Sequence, residues 1–217
     1  MLMNLYLEAA DQAYGELTRL DQVAGDGDYG DNLREGLRGA VTRIPGDADL
    51  ATEFEVTATY FLDEVGGTSG PLIGLLFNDV GGSLDRGGND DAALVTGLDA
   101  GTAAVSRVGE AKVGDRTMLD CLGPTLDDLH AARPPLDWTV AANQAFDHAR
   151  ATADLTPRMG RASYVGARAV GTPDAGAMGM ALLFWALAVY RDPTSRGQLP
   201  DPAHLAGNGT TSSILSP

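Results

Sequence analysis

Hydrophobic residues recur at helical spacing along most of the 217-residue chain. No segment alternates apolar and polar residues in the way that a half-buried strand does. The spacing predicts helices over residues 2–20, 31–43, 48–64, 70–84, 90–108, 116–131, 137–154 and 176–191. Because proline and glycine mark mostly short connections between these segments, the pattern predicts an all-α, up-and-down bundle or barrel of about eight helices.

The predicted helices belong to one domain, residues 1–191, because no linker divides them. Residues 192–217 are rich in proline, glycine, serine and threonine. This composition is typical of a chain end with few packing contacts. We therefore expect residues 192–217 to form a loosely ordered tail.

The composition describes an acidic globular protein, with 44% hydrophobic residues and a formal net charge of −15. This charge argues against nucleic acid or an anionic membrane as a partner. The first residues lack the basic segment and cleavage site of a signal peptide, and the apolar stretch 177–190 is short for a membrane span. The single cysteine, Cys121, fits a reducing compartment. We therefore expect a cytoplasmic protein without a membrane partner.

Three aspartates, Asp21, Asp26 and Asp28, lie within eight residues and are separated by glycines. Clustered carboxylates repel one another, and the glycines give the backbone freedom to turn them towards one point. Hard oxygen ligands of this kind suit Mg²⁺ or Ca²⁺. The next residues, 30–32, begin an amphipathic helix whose free N–H groups can receive a phosphate. The stretch predicts a metal–polyphosphate site.

Two known motifs and an ordinary turn resemble the same stretch. It matches G-x-G-x-x-G formally, but no β-branched run precedes it and two aspartates would face the pyrophosphate. It resembles the start of an EF-hand loop, but counting from Asp26 places Leu37 where the bidentate glutamate should stand. An acidic turn between two helices, with aspartates that cap and solvate, remains an equal alternative when the stretch is read alone.

A second segment, residues 66–77, has the sequence GGTSGPLIGLLF. Thr68 or Ser69 can cap the helix that follows, and a small hydroxyl-bearing turn there lets phosphate oxygens reach backbone N–H groups. The segment is not a Walker loop, because no lysine follows the glycines. It is not a nucleophile elbow either, because Pro71 occupies the last glycine position of G-x-S-x-G. An ordinary helix–helix turn explains the segment equally well.

Two later segments, residues 109–124 and 159–179, carry further candidates. Met118 offers a soft apolar surface that could face an adenine. Arg161 could clamp phosphate oxygens, and Asp174 could cap the last helix or accept a hydrogen bond from a ribose hydroxyl. Solvation or capping explains each residue when it is taken alone. Their occurrence together favours a binding site.

The four segments read L-T-x-L-D-x-x-x-G-D-G-D, G-G-x-S-G-P-L, G-D-[KR]-T-M-L-D and G-R-A-S-Y-x-G, in this order. In this combination the chain resembles the nucleotide-binding L subunit of bacterial dihydroxyacetone kinases, over residues 5–190. The resemblance implies a closed barrel of eight antiparallel helices with ADP or ATP bound at one end. It also implies that Asp21, Asp26 and Asp28 hold two Mg²⁺ ions that bridge the phosphates. The implied nucleotide-binding residues are Tyr29, Gly30, Asp31, Asn32, Thr68, Ser69, Gly109, Met118, Arg161, Asp174, Ala175 and Gly176.

The reaction that the resemblance implies is phosphoryl transfer, in which Asp21, Asp26, Asp28 and Arg161 would be the catalytic residues through positioning and charge neutralisation. In the family, a histidine on a separate K subunit holds dihydroxyacetone covalently. None of the histidines of this chain lies beside a motif. We therefore expect a K-type partner that presents dihydroxyacetone or a related short ketose such as a tetrulose. The donor would be exchangeable ATP, or bound ADP that an M-type phosphotransferase-system subunit rephosphorylates.

The chain departs from the family pattern at two places. Tyr29 stands where the family usually has histidine, and tyrosine cannot become cationic. In the late motif, Ala167, Ala169, Thr172 and Ala175 replace glutamate, serine, histidine and proline. An active but divergent kinase subunit is favoured. The alternatives are a nucleotide-binding regulatory module that docks onto a transcription factor or sensor, and an inert helical scaffold; a fatty acid kinase fits less well.

Overall fold

A computed structural model of the protein describes residues 1–205. In this part of the chain every regular element is helical, and eight of the α-helices are 13–23 residues long. The long helices are α1 (Leu2–Ala24), α2 (Tyr29–Val41), α3 (Leu50–Asp63), α4 (Ser69–Gly87), α5 (Asp91–Gly109), α6 (Leu119–Ala131), α7 (Trp138–Ala151) and α9 (Ala175–Arg191), and α8 (Ala162–Val165) is a single turn. The predicted all-α class is confirmed.

The long helices form a closed ring. Each packs against the next one along the chain, α7 packs against α9, and α9 returns to α1. Contacts at the helix ends show the antiparallel order, because Arg191 at the end of α9 pairs with Asp91 at the start of α5. Likewise, Met3 at the start of α1 donates its N–H to Glu53 near the start of α3. The ring therefore has two distinct ends, one of which carries the starts of α2, α4, α6 and α9.

The ring interior is aromatic and aliphatic. The ring of Phe77 meets the edges of Tyr6, Phe54 and Phe61 at centroid distances of 5.4–6.3 Å. Close backbone approach tightens the α4–α5 contact, since a Cβ at Gly97 would lie 2.6 Å from the Cα of a residue on α4. Within residues 1–205, none of the helices is both long and apolar enough to cross a membrane.

Several helix boundaries differ from the predicted ones. Helix α1 continues to Ala24, so Asp21 lies on its last turn rather than in a loop. Helix α6 begins at Leu119, three residues later than predicted, because Arg116 adopts a left-handed φ of 61°. The glycine-rich connection after α7 contains α8 and the 3₁₀ helix Gly166–Ala169.

The first part of the predicted tail, residues 192–205, packs against the ring. It contains the 3₁₀ helix Pro193–Gln198, from which Arg196 forms a two-pronged ion pair with Glu8 of α1. Leu205 is fully buried, and its carbonyl accepts a hydrogen bond from Arg150 Nε at 3.0 Å. The rest of the tail prediction, residues 206–217, lies outside the described residues.

Candidate functional site

One cavity opens at the end of the ring where α1 and α5 end and α2, α4, α6 and α9 begin. Segments that are far apart in the sequence meet there. Many residues selected from the sequence lie in the cavity wall: Asp21, Asp26, Asp28, Tyr29, Thr68, Ser69, Gly109, Met118, Arg161, Asp174, Ala175 and Gly176. Their assignment to particular ligand groups stays a prediction.

The three aspartates converge at one side of this cavity. Asp21 reaches it from the last turn of α1, while Asp26 and Asp28 come from the following loop, and one carboxylate oxygen of each lies within 4.8 Å of the others. A Cβ at Gly25 would lie 2.6 Å from Asp21 Oδ1, so a larger residue there would displace the Asp21 carboxylate. Asp21 Oδ2 also accepts the N–H of Tyr29 at 3.1 Å. This donor set suits Mg²⁺.

The charge of the cluster is not balanced within the loop itself. Partial burial, and next the charge of Asp21, raise the pKa of Asp28 above its ordinary value. The positive charge comes from Arg161, immediately before α8. Its Nη1 pairs with Asp26 and lies 3.6 Å from Asp28 Oδ2. The structure therefore brings together the four residues that the sequence analysis proposed as catalytic.

Two helix N-termini at the cavity lack side-chain caps. Helix α2 begins after Asp28 and helix α4 begins after Thr68, and neither residue makes a capping hydrogen bond with its side chain. In the first turn of α2 the Tyr29 N–H is bonded to Asp21 Oδ2 and the Asn32 N–H to the Asp28 carbonyl, so Gly30 and Asp31 carry the N–H groups that a ligand could use. The positive ends of the α2 and α4 dipoles lie at these first turns. Uncapped N-termini beside a carboxylate cluster suit a ligand that combines phosphates with a cation.

The opposite wall of the cavity is apolar. It is formed by side chains from α4, α5, α6, the connection between α5 and α6 and the connection before α8: Leu72, Val105, Ala111, Met118, Leu119 and Met159. Gly176 continues this wall, since a Cβ there would lie 3.5 Å from the backbone nitrogen of Met118. An apolar wall of this kind suits a flat heterocycle.

Asp174 lies at the junction of α9 with the cavity. Its Oδ1 caps α9 by accepting the N–H of Ala177 at 2.9 Å, and its own N–H donates to Thr152 Oγ1 at 2.7 Å. Burial raises the pKa of Asp174 to about 6, while the cap and the charge of Arg116 oppose this rise. The capping role considered from the sequence is confirmed.

Three predicted residues, Gly30, Asp31 and Asn32, are not among those that line the cavity. Gly30 packs on α1, where a Cβ would lie 2.6 Å from Thr18 Oγ1. Asp31 pairs with Arg34 at 3.4 Å on the exposed side of α2. The three residues belong to the first turn of α2, directly after Asp28 and Tyr29, which do line the cavity.

Tyr29 lines the cavity, but its hydroxyl points into the interior of the ring of helices. The hydroxyl lies 3.5 Å from the Gly176 carbonyl, and a Cβ at Gly179 would overlap it. Burial is the main reason why the pKa of Tyr29 is well above its ordinary value. The side chain at this position is therefore neutral and packed between helices.

Arg116 and the apolar wall other than Met118 were not predicted from the sequence. Arg116 is 1% exposed and lines the cavity. Its position two residues before Met118 could have suggested a place in the site, but nothing in the neighbouring sequence indicates that this charged residue is buried. Leu72, Val105 and Met159 look like ordinary core residues in the sequence.

Comparison with known proteins gives consistent results. The family model for the DAK2 domain matches residues 23–189. The chain is 40% identical over 185 residues to L-erythrulose 1-kinase of Mycolicibacterium smegmatis, an alignment that covers 81% of this chain and 32% of that kinase. The chain thus spans about a third of the length of that relative.

A shorter relative is matched over most of its length. It is the ADP-binding subunit DhaL of PEP-dependent dihydroxyacetone kinase 1 from Listeria innocua, 36% identical over 79% of this chain and 84% of the subunit. Among solved structures, the dihydroxyacetone kinase of C. freundii in complex with AMP-PNP and Mg²⁺ has a TM-score of 0.69 at 30% identity. The match covers 87% of this chain and 33% of that one.

Proposed function

The chain belongs to the DAK2 domain family, and from this premise we propose that it is the nucleotide- and magnesium-binding subunit of a ketose kinase. The observation that carries the proposal is the composition of one cavity. A carboxylate cluster, the first turns of two helices and an apolar wall all border it, and these are the surroundings that a metal, phosphates and a base would need. ADP and ATP have these three parts.

Asp21, Asp26 and Asp28 are the proposed Mg²⁺ ligands, for two ions. Their oxygens fit the preference of Mg²⁺ for carboxylates, and bound Mg²⁺ would neutralise the charge of phosphate oxygens. The first turns of α2 and α4, from Tyr29 to Asn32 and at Thr68 and Ser69, bind phosphate oxygens through backbone N–H groups. Within α2 these are the N–H groups of Gly30 and Asp31, because those of Tyr29 and Asn32 are bonded within the protein.

The remaining predicted residues take the other parts of the nucleotide. Arg161 supplies a guanidinium beside the carboxylates and orients the terminal phosphate. Gly109 and Met118 contact the adenosine, and residues 174–176 complete that end of the pocket. The apolar wall excludes water from the base.

The acceptor comes from a partner in this proposal. His130 and His148 pair with Asp99 and Asp128 and are not among the residues that line the cavity. A K-type subunit would therefore present the ketose. Relatives named for L-erythrulose and for dihydroxyacetone make both sugars candidate substrates. The PEP-dependent relative favours bound ADP that an M-type subunit rephosphorylates, while the erythrulose kinase leaves ATP as the alternative donor.

One observation favours a second candidate, a nucleotide-binding regulatory module without transferase activity. The position after the third aspartate holds a buried neutral tyrosine, so no ionisable side chain there faces the phosphates. A module of this kind binds Mg²⁺ and ADP as tightly as a kinase subunit. It transfers no phosphate with any K subunit.

Reconstitution separates these functions. The purified chain is mixed with K subunits and either ATP or a PEP-driven M-type system, and ketose phosphate is measured for dihydroxyacetone and L-erythrulose. Kinase function predicts product only when this chain and a K subunit are both present. Mg²⁺-dependent ADP binding without product in every combination supports the regulatory module. Absence of Mg²⁺-dependent nucleotide binding rejects both functions.

A further inference from the structure

Arg116 is an unusual residue for its position. It is 1% exposed, and its backbone adopts a left-handed φ of 61° in the connection between α5 and α6. Burying a guanidinium is unfavourable unless it is hydrogen-bonded, and the left-handed region is unfavourable for a side-chain-bearing residue. Contacts with the surrounding structure must hold Arg116 in this conformation.

The contacts of Arg116 lie far away in the sequence. Its Nη2 donates to the carbonyl oxygens of Thr172 at 2.7 Å and Ala169 at 3.2 Å. Both belong to the connection that leads from α8 into α9. Among residues 1–205, Nε and Nη1 of Arg116 have no acceptor although both are buried. The guanidinium therefore donates its hydrogen bonds to the backbone of this connection rather than to another side chain.

The two segments that Arg116 joins are both parts of the cavity wall. Arg116 precedes Met118 by two residues, and Thr172 precedes Asp174 by two residues. On its other side, Asp174 is tied to Thr152. Burial lowers the pKa of Arg116, and the charge of Asp174 opposes this shift. The hydrogen bonds of Arg116 to Ala169 and Thr172 therefore hold the segment that carries Met118 beside the segment that carries Asp174.

We propose that Arg116 is a positioning residue of the nucleotide site, which holds the segments carrying Met118 and Asp174 at the separation that a nucleoside needs. The inference rests on the proposed function, because it assigns a role within the same cavity. Arg116 acts here through backbone carbonyls. Arg116 should therefore affect the contribution of the nucleoside to ADP affinity, and this contribution does not depend on metal bound at the aspartates.

The test compares ADP binding by calorimetry with excess Mg²⁺ and with EDTA. Arg116→Met removes the charge and the donors and should weaken ADP binding about ten- to hundredfold under both conditions, the range for hydrogen bonds to a charged group. Arg116→Lys keeps the charge and should recover part of the loss. Asp28→Asn should lower ADP affinity in the presence of Mg²⁺ and leave the affinity measured with EDTA unchanged.

A matched control is available at the other end of the ring. Arg191 is half-buried, donates to the Asn89 carbonyl and pairs with Asp91. Arg191→Met should lower the unfolding temperature. It should nevertheless keep ADP affinity within about twofold of the parent, because distant sites are independent. In a reconstituted kinase, Arg116→Met should raise the KM for nucleotide more than it lowers kcat.

The outcomes separate the two proposals. If the parent chain binds no ADP under either condition, the proposed function fails and this inference fails with it. If the parent binds ADP and Arg116→Met binds it equally well, this inference alone is wrong. If Arg116→Met does not fold, Arg116→Lys decides: parental affinity overturns the inference, and a loss of equal size with Mg²⁺ and with EDTA supports it.

Discussion

Replacing Asp28 by asparagine should have opposite effects on the ligand-free and the ligand-bound protein. Asp28 lies in a cluster whose carboxylate oxygens are within 4.8 Å of one another, and partial burial and Asp21 raise its pKa. Its side chain makes no cap for α2, so asparagine loses no helix-capping bond. Without ligand, removal of this charge should therefore stabilise the fold.

The size of the gain follows from Coulomb repulsion. Two charges 4.8 Å apart repel by about 0.9 kcal/mol in water. Because the Asp28 side chain is 44% exposed and Arg161 offsets part of the repulsion, screening leaves about 0.3–0.8 kcal/mol. For a chain of this size the unfolding temperature should rise by about 1–3 °C. With Mg²⁺ and ADP at about 100 times their Kd, the parent should gain roughly 2.7 kcal/mol, or about 5–11 °C.

Thermal unfolding of chelator-treated protein measures both effects, with Mg²⁺ and ADP added separately and together. Asp28→Asn should melt above the parent without ligand and below it with both ligands. Asp11→Asn is the matched control, because the Asp11 side chain is equally exposed but pairs with Arg38 on the ring surface. It should keep the full ligand shift. The reasoning is refuted if Asp28→Asn melts below the parent without ligand, or if it keeps the parental shift.

Three further predictions concern α9 and its neighbours. Asp174→Asn keeps an acceptor for Ala177 but removes a carboxyl whose folded-state pKa burial raises to about 6. Ionisation of Asp174 therefore destabilises the fold as pH rises from about 4 through 6. At pH 7.5 the free energy of urea unfolding should be about 1–3 kcal/mol higher for Asp174→Asn than for the parent, and near pH 4 the two should be equal. A difference that does not change with pH would contradict this. Gly179→Ala places a methyl group against the buried Tyr29 ring and should cost about 1–3 kcal/mol in urea unfolding. Tyr29→Phe in the same chain should restore part of that loss, whereas strictly additive effects would disprove the contact. Tyr29→Phe alone removes a hydroxyl 3.5 Å from the Gly176 carbonyl, at the limit of a hydrogen bond, so its unfolding free energy should change by less than about 1 kcal/mol; a larger loss would mean that the hydroxyl bonds strongly.

The helices were predictable because their signal is local. Apolar spacing alone gave eight helices with boundaries near the observed ones, and the carboxylate cluster was predictable because its members lie within eight residues. The late start of α6 was not, because it depends on the left-handed backbone of Arg116. That conformation is fixed by carbonyl groups more than 50 residues further along the chain.

The assembly of the site had no local signal. Thr68, Met118 and Arg161 reach one cavity only because the ring closes, and the family resemblance rather than spacing predicted this meeting. The direction of the Tyr29 side chain depends on Gly179, a residue of another helix. The burial of Arg116 runs against the usual exposure of charged residues, so composition and periodicity could not reveal it.

An even number of antiparallel helices returns the chain to the end of the ring from which it started. Leu2 and Arg191, the outer residues of α1 and α9, therefore both lie opposite the cavity. Residues 192–205 then run back along α7, where Gln198 contacts Asn143 and Leu205 contacts Arg150. Such a ring can form a protein by itself or one part of a larger one: the match covers 84% of the Listeria innocua subunit but only 32% of the erythrulose kinase.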